Sequence, residues 1–356
     1  MIKINSIKEA LNKPPEPPKP APQKEPTGKT AVISAHFGGY SEIRREATLR
    51  AIQGWDEQRI KPTEALFLEM VLPDQKPCFQ QADFPSWMRY CRIYGKERNR
   101  NLFQKEALWN LGAKLTDAEK MLFIDADSQP VETTDYFSTI FNLCENGKCV
   151  HACFHLLHEG QHPQHSEFYS VFSEKNRLPA GAKTFPGFGY CLTRADYDNM
   201  DGFNPYAICG GGDATFICEN LPSIKLGYYQ AKRFQQGILR QGQPQLQPIA
   251  PYGITMRHNF HGFKEDRAYK WGREVVALFG LPTAYCHIDS AGLLAWNDPD
   301  FLLKEIVMEK SRMHTKEELI DLIMEKVKGK LDRLEGLQRL PNGTWVYDKK
   351  DGNIYD

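Results

Sequence analysis

The chain lacks an excess of either charge: 45 Lys and Arg stand against 45 Asp and Glu in 356 residues. A formally neutral surface generates no global field to draw nucleic acid or an anionic membrane, so only a local basic cluster could serve such a partner. Long apolar runs are absent too. Nothing approaches the length of a transmembrane span, and Met1-Ile-Lys-Ile-Asn-Ser6 has no apolar signal region. The nine cysteines show no CxxC pairing, which reads as reduced thiols and a soluble, cytoplasmic protein. No GxGxxG fingerprint succeeds the first strand.

Present instead is an alternation of apolar runs and helical periods. Residues 1–29 include Lys13-Pro-Pro-Glu-Pro-Pro-Lys-Pro-Ala-Pro22, too poor in apolar residues for a core, and read as a disordered tether. Strands are predicted at 30–35, 65–71 and 88–93, with helices over 41–58 and 101–111. This pattern predicts an α/β domain over 30–280 with a doubly wound, mostly parallel, Rossmann-like sheet. Residues 281–356 are expected to add a helical extension and tail. There Thr315-Lys-Glu-Glu318 makes a capping box before an apolar stripe from Leu319 to Leu334. A helix over 315–337 would pack on the domain or on a second copy in a homo-oligomer. Asn342-Gly343 between short β-like runs predicts a small hairpin.

The organising stretch is Met121-Leu-Phe-Ile-Asp-Ala-Asp-Ser-Gln-Pro130. Four apolar residues make a buried strand, and the chain leaves it through two carboxylates, closed by a proline that cannot continue the ladder. Asp125 and Asp127 then stand at the carboxyl end of a central strand, where open α/β sheets bind ligands. Such a pair can hold a hard divalent cation, and the cation a diphosphate. The spacing alone is weak, because it recurs at Asp196/Asp198 and Asp298/Asp300. The strand before the first pair and the break after it set that pair apart.

Further candidates are spread along the chain. His36-Phe-Gly-Gly-Tyr40 joins strand to helix at a nucleotide-contacting position. Arg98, Asn99, Arg100 and Asn101 precede a helix and could reach phosphate or base, or be plain surface polarity. Five histidines, His151, His155, His158, His162 and His165, could bind a transition metal or form a polar acceptor-side loop. Gly210, Gly211 and Gly212 let a ligand approach the backbone ahead of Asp213, which reads as a helix cap or as a catalytic base. His258 and His261 beside Arg257 can complete a metal site opened by Asp127, or contact a diphosphate directly.

Taken together, the Asp-x-Asp after a strand, Phe185-Pro-Gly-Phe-Gly-Tyr-Cys-Leu-Thr193, Gly202-Phe-Asn204, Gly210-Gly-Gly-Asp213 and a late histidine resemble metal-dependent GT-A glycosyltransferases. The likeness is to the beta-1,4-galactosyltransferase and family 2 type with its soluble bacterial and phage relatives, over about residues 30–310. It implies Asp125 and Asp127 as the Asp-x-Asp pair, with Asp127 the direct ligand of Mn2+ or Mg2+ and His258 completing the metal site. It further implies Asp213 as the base in an inverting transfer from a nucleotide sugar, a UDP-sugar, to an acceptor hydroxyl on a glycan, lipid, protein or modified DNA base. His261-Gly262, Arg267 and Tyr269 are similar to a stretch of the phage-like relatives, which would place the protein in a host cytoplasm; Ser290 to Trp296 is similar to another. The family's tryptophan and glutamate around its G-G-x-D are here Cys209 and Gly212, so galactose is not implied.

Two rival readings stay open. One is a phage-type transferase acting on hydroxymethylated pyrimidines in DNA, for which Arg89, Arg92, Lys96, Arg98 and Arg100 would supply the basic cluster. The other is a non-catalytic module that binds a sugar nucleotide or glycan.

Overall fold

The structure is a computed structural model and describes residues 25–131, 135–158, 166–208, 210–224, 226, 239–259, 282–298, 337–339 and 345–347. Its centre is a seven-stranded sheet built from β1 (Thr30–His36), β2 (Glu64–Val71), β3 (Met88–Tyr94), β4 (Lys120–Ile124), β6 (Lys148–His151), β10 (Gly189–Thr193) and β11 (Gln247–Ile249), in the order β11-β6-β10-β4-β1-β2-β3. β10 alone runs against its neighbours; the other six are parallel. The chain fills β1, β2 and β3 outward on one side, then crosses back to place β4 on the other side of β1. That reversal opens a crevice at the carboxyl ends of β1 and β4, the place where doubly wound sheets take ligands.

Alternate residues of the central strands feed two cores. Ala31 and Ile33 of β1 join Leu108 and Trp109 on one face, and Val32 joins Trp55, Phe137 and Phe141 on the other, all essentially inaccessible. Each such large side chain contributes roughly 1.5–3 kcal/mol on burial. Helix α1 (Glu42–Asp56) starts where Ser41 caps it and buries Ala47, Ala51 and Trp55. Helix α2 (Lys105–Lys114) starts four residues later than the periodicity predicts. Asn101 takes a left-handed conformation at φ 66°, so the chain must turn before the helix can begin. Helix α3 (Tyr136–Leu143) lies between the Asp pair and β6.

No periodicity in the sequence announces the second sheet, and it corrects the role expected of Pro130. The chain does not simply leave the ladder after Asp127. It forms β5 (Ser128–Val131), which includes Pro130 and edges a five-stranded sheet in the order β5-β12-β7-β8-β9. β7 is His155–His158, β8 Ser166–Ser170, β9 Thr184–Phe185 and β12 Thr255–His258. Proline is tolerated there because an edge strand leaves one row of amides unpaired.

Short helices α4 (Arg194–Asn199) and α5 (Gly212–Asn220) come after β10. Beyond them, α6 (Pro282–Tyr285), β13 (Cys286–Ile288) and β14 (Leu294–Trp296) dock on the turn before α2. Leu294 O accepts from Asn99 and Gln104 side chains, and Trp296 donates to Arg100 O. β15 (Leu337–Arg339) and β16 (Trp345–Tyr347) pair antiparallel, the hairpin predicted for the tail. Among the described residues, no helix is long and apolar enough to cross a membrane. The predicted helix 315–337 and most of the Pro-rich tether lie outside the described residues, as do His162, His165, Cys209, His261, Arg267 and Tyr269.

Candidate active site

The carboxyl end of β4 delivers Asp125 and Asp127 into the crevice. Asp125 N donates to Phe188 O at 3.3 Å, tying the pair to the turn that enters β10. That turn is strained: Phe188 has φ 80°, and Gly189 at φ 131° could not carry a Cβ, which would stand 2.1 Å from Phe123 O. Strain of this kind persists where surrounding structure enforces it. Here the antiparallel pairing of β10 with β4 does so.

The second sheet does the other half of the assembly. β12 pairs with β5 so that His258 faces Ser128, and Asn259 N donates to Asp127 O at 2.9 Å. His258 Nε2 consequently lies 3.4 Å from Asp127 Oδ2, with the Phe188 ring packed edge-on against the imidazole. Trp55 Nε1 fixes the backbone one residue on, donating to Ser128 O. Two ligand atoms held about 2.0–2.2 Å from one cation at a right angle stand about 3 Å apart. A carboxylate oxygen and an imidazole nitrogen at 3.4 Å therefore fit a shared divalent ion with little movement, and Asp127 and His258 would hold it.

Asp125 turns elsewhere. Lys105 Nζ, from the first turn of α2, lies 3.2 Å from Asp125 Oδ1 and 3.0 and 3.1 Å from the two oxygens of Asp213. Asp213 itself sits in the first turn of α5, whose N-cap is Gly211, so it is not the helix cap. The Asp213 carboxylate has room because Gly187 opposes it without a side chain; a Cβ there would come within 3.1 Å. Burial would lower the Lys105 pKa, but Asp125 and Asp213 outweigh it and hold the ammonium well above the usual lysine range. Burial pushes the Asp125 carboxyl up, with Lys105 opposing and Asp213 and Asp127 adding to the rise.

Beside this ion cluster lies Glu106, which sequence reasoning missed together with Lys105. Two adjacent charges opening a helix look like a solvated first turn, and only Ala107-Leu108-Trp109 after them hinted that this turn is buried. Glu106 is 2% exposed, and burial pushes its carboxyl up to about 8. The native state thus keeps a proton that the unfolded chain releases above about 4.5. Stability must therefore fall as pH rises between about 4.5 and 8, by up to about 1.4 kcal/mol per pH unit. Denaturant titrations from pH 5 to 8 should show this slope in the wild type and a flatter one in Glu106→Gln; parallel slopes would remove Glu106 as its source.

Gly212 is tied to the same carboxyl. A Cβ on Gly212 would stand 1.8 Å from Glu106 Oε1. Gly212→Ala should cost about 1–3 kcal/mol of stability by overpacking, most of it regained in the double variant with Glu106→Ala. Additive losses in that double-mutant cycle would show the contact to be relaxed at no cost.

The remaining candidates are dispersed. His36 is buried at the end of β1, its Nε2 3.3 Å from Gly39 O and its ring edge-on to Phe79. Cys78 and Glu69 lie close by, Cys78 Sγ donating to Gly39 O and Glu69 accepting from Cys78 N and Tyr90 Oη. Arg98 is half-buried in a 3-10 turn, and Gly211 is exposed with open space around it. The histidine cluster divides between the sheets. His151, in β6, donates from Nε2 to Gly187 O and takes the Ser170 hydroxyl on Nδ1, both at 2.7 Å, and burial lowers its pKa to about 4. His155, in β7, stacks on Tyr169. Of the repeated Asp-x-Asp spacings, Asp196 is structural: it is buried and accepts from Gly147 N and Thr193 Oγ1.

No family model matches the chain, and no curated protein does. Among solved structures, a mannosyltransferase from Pyrobaculum calidifontis, in complex with GDP-mannose and Mn2+, is similar at 13% identity and a TM-score of 0.38, covering 92% of this chain and 81% of that one. A likeness of that degree transfers neither fold nor function. The functional reading therefore stands on the residues of this site.

Proposed function

We propose that the chain is a GT-A-type glycosyltransferase that moves a sugar from a nucleotide sugar, a UDP-sugar, to an acceptor hydroxyl with inversion. The observation that carries this reading is the pairing of Asp127 with His258 at 3.4 Å beside a second cluster in which Lys105 bridges Asp125 and Asp213. Both clusters lie at the carboxyl end of β4. One can hold a divalent cation, and the other contains a carboxylate able to take a proton.

The division of labour rests on charge. Asp127 and His258 would bind Mn2+ or Mg2+, which when bound neutralises the diphosphate of the donor. Lys105 keeps its cation at any working pH, at the point where negative charge grows on the departing diphosphate. Asp213 accepts the proton from the acceptor hydroxyl as that oxygen attacks the anomeric carbon from the opposite face. Gly187 leaves the Asp213 carboxylate its room, and Gly211, two residues before it, is exposed. For the acceptor, the basic cluster favours no DNA groove: Arg100 is paired with Asp74 and Glu97, and Arg89 reaches Glu64 and Leu115 O.

Asp127→Ala and His258→Ala should each weaken Mn2+-dependent binding of UDP by at least about tenfold, the usual effect of removing one ligand or its support. Calorimetric titration of UDP with Mn2+ and with chelator measures it. Affinity that ignores both the metal and these two residues would end the reading.

A further inference from the structure

Four carboxylates are buried among the described residues: Glu69, Glu106, Asp196 and Glu219. Three are fully engaged. Glu69 accepts from Cys78 N and Tyr90 Oη, Asp196 from Gly147 N and Thr193 Oγ1, and Glu219 from Asn204 Nδ2 and the Arg240 guanidinium. Glu106 alone has no hydrogen-bond partner for either oxygen. A buried carboxyl left without partners is costly, and proteins keep such groups where something else completes them.

The surroundings restrict what can complete it. The carboxyl lies over the backbone of Gly212, in the volume a side chain there would fill. Next to it, Gly211 is exposed, and no atom lies within 4 Å of where its Cβ would be, so ligand can approach from that side. Burial does most to keep Glu106 protonated; Lys105 opposes it, and Asp213 and Asp125 add to the rise. A neutral group bearing hydroxyls fits, because a carboxyl held in its protonated form both donates and accepts, as a hydroxyl does.

We propose that Glu106 hydrogen-bonds hydroxyls of the transferred sugar and so selects which sugar the donor carries. This rests on the transferase reading. The donor's sugar is favoured over the acceptor's because its anomeric carbon must lie between the diphosphate and the oxygen that Asp213 activates, and Glu106 neighbours Lys105 in α2 and lies over Gly212, next to Asp213. The carboxyl reaches the Gly212 backbone from α2, a different element from the G-G-x-D loop itself.

The test is calorimetric titration, with Mn2+, of UDP, UDP-glucose, UDP-galactose, UDP-N-acetylglucosamine, GDP and GDP-mannose against wild type, Glu106→Gln and Glu106→Ala. Wild type should favour one sugar over others on the same nucleotide. Glu106→Ala should cut that preference by at least about tenfold and Glu106→Gln by less, with nucleoside diphosphate affinity changed no more than about twofold. Glu106→Leu, close in size and unable to hydrogen-bond, carries the comparison in place of Glu106→Ala if the latter does not fold. A preference that survives in the variants overturns the proposal and leaves the transferase reading intact. Parallel loss of nucleotide and nucleotide-sugar affinity also overturns it, marking Glu106 as structural. Wild type that binds none of the six overturns the transferase reading itself.

Discussion

Lys105→Met should cost the fold about 3–5 kcal/mol, measured by denaturant titration in chelator, the usual penalty for removing one partner of a buried ion cluster. The side chain is 10% exposed, and its partners Asp125 and Asp213 are 24% and 21% exposed. With the ammonium gone, two carboxylates face each other across the same gap, with Glu106 alongside. Methionine keeps most of the apolar stem that packs near Trp109, whose ring lies 4.7 Å from Nζ, so the loss reports charge more than packing. A loss below about 1 kcal/mol would mean that the three groups relax into solvent on their own. The cluster would then be neither closed nor of low dielectric.

Asp213→Asn should leave donor binding nearly intact and slow transfer by about 10²–10⁴-fold, the range for losing a positioned general base. The substitution is close to isosteric and retains one oxygen for Lys105, so the helix start and the room opposite Gly187 are kept. Single-turnover rates at saturating donor isolate the effect on the chemical step. A tenfold or smaller loss would transfer the proton-accepting role to another group or to water. Asp125 is the nearest such carboxylate sharing Lys105.

Much of this arrangement is legible in the sequence because it obeys local rules. The runs at 30–35, 65–71 and 121–124 lie in strands, and helices between them force parallel pairing. A carboxylate pair directly after β4 then has to reach the crevice. The Asp127–His258 pair follows from no local rule and is legible only through its motifs and the family they resemble. These residues are far apart in the chain, and their proximity depends on β12 pairing with β5, an edge strand whose Pro130 reads in the sequence as the end of the ladder. Lys105 and Glu106 are illegible: nothing in a charged dipeptide at a helix start distinguishes solvent from a buried cluster. The histidine run misleads by density. Strand geometry sends His151 into the central sheet and His155 into the second, where each answers to its own neighbours.

Metal-dependent transfer from a nucleotide sugar at Asp127, His258 and Asp213 is tested most directly by nucleoside diphosphate release. The donors are a panel of UDP-sugars and GDP-mannose, with Mn2+ or with chelator, in wild type and in Asp127→Ala. Release from one donor, dependent on the metal and reduced at least about 10³-fold in Asp127→Ala, is the predicted result. Release that persists undiminished in chelator and in Asp127→Ala, or no release from any donor with the metal present, would contradict it.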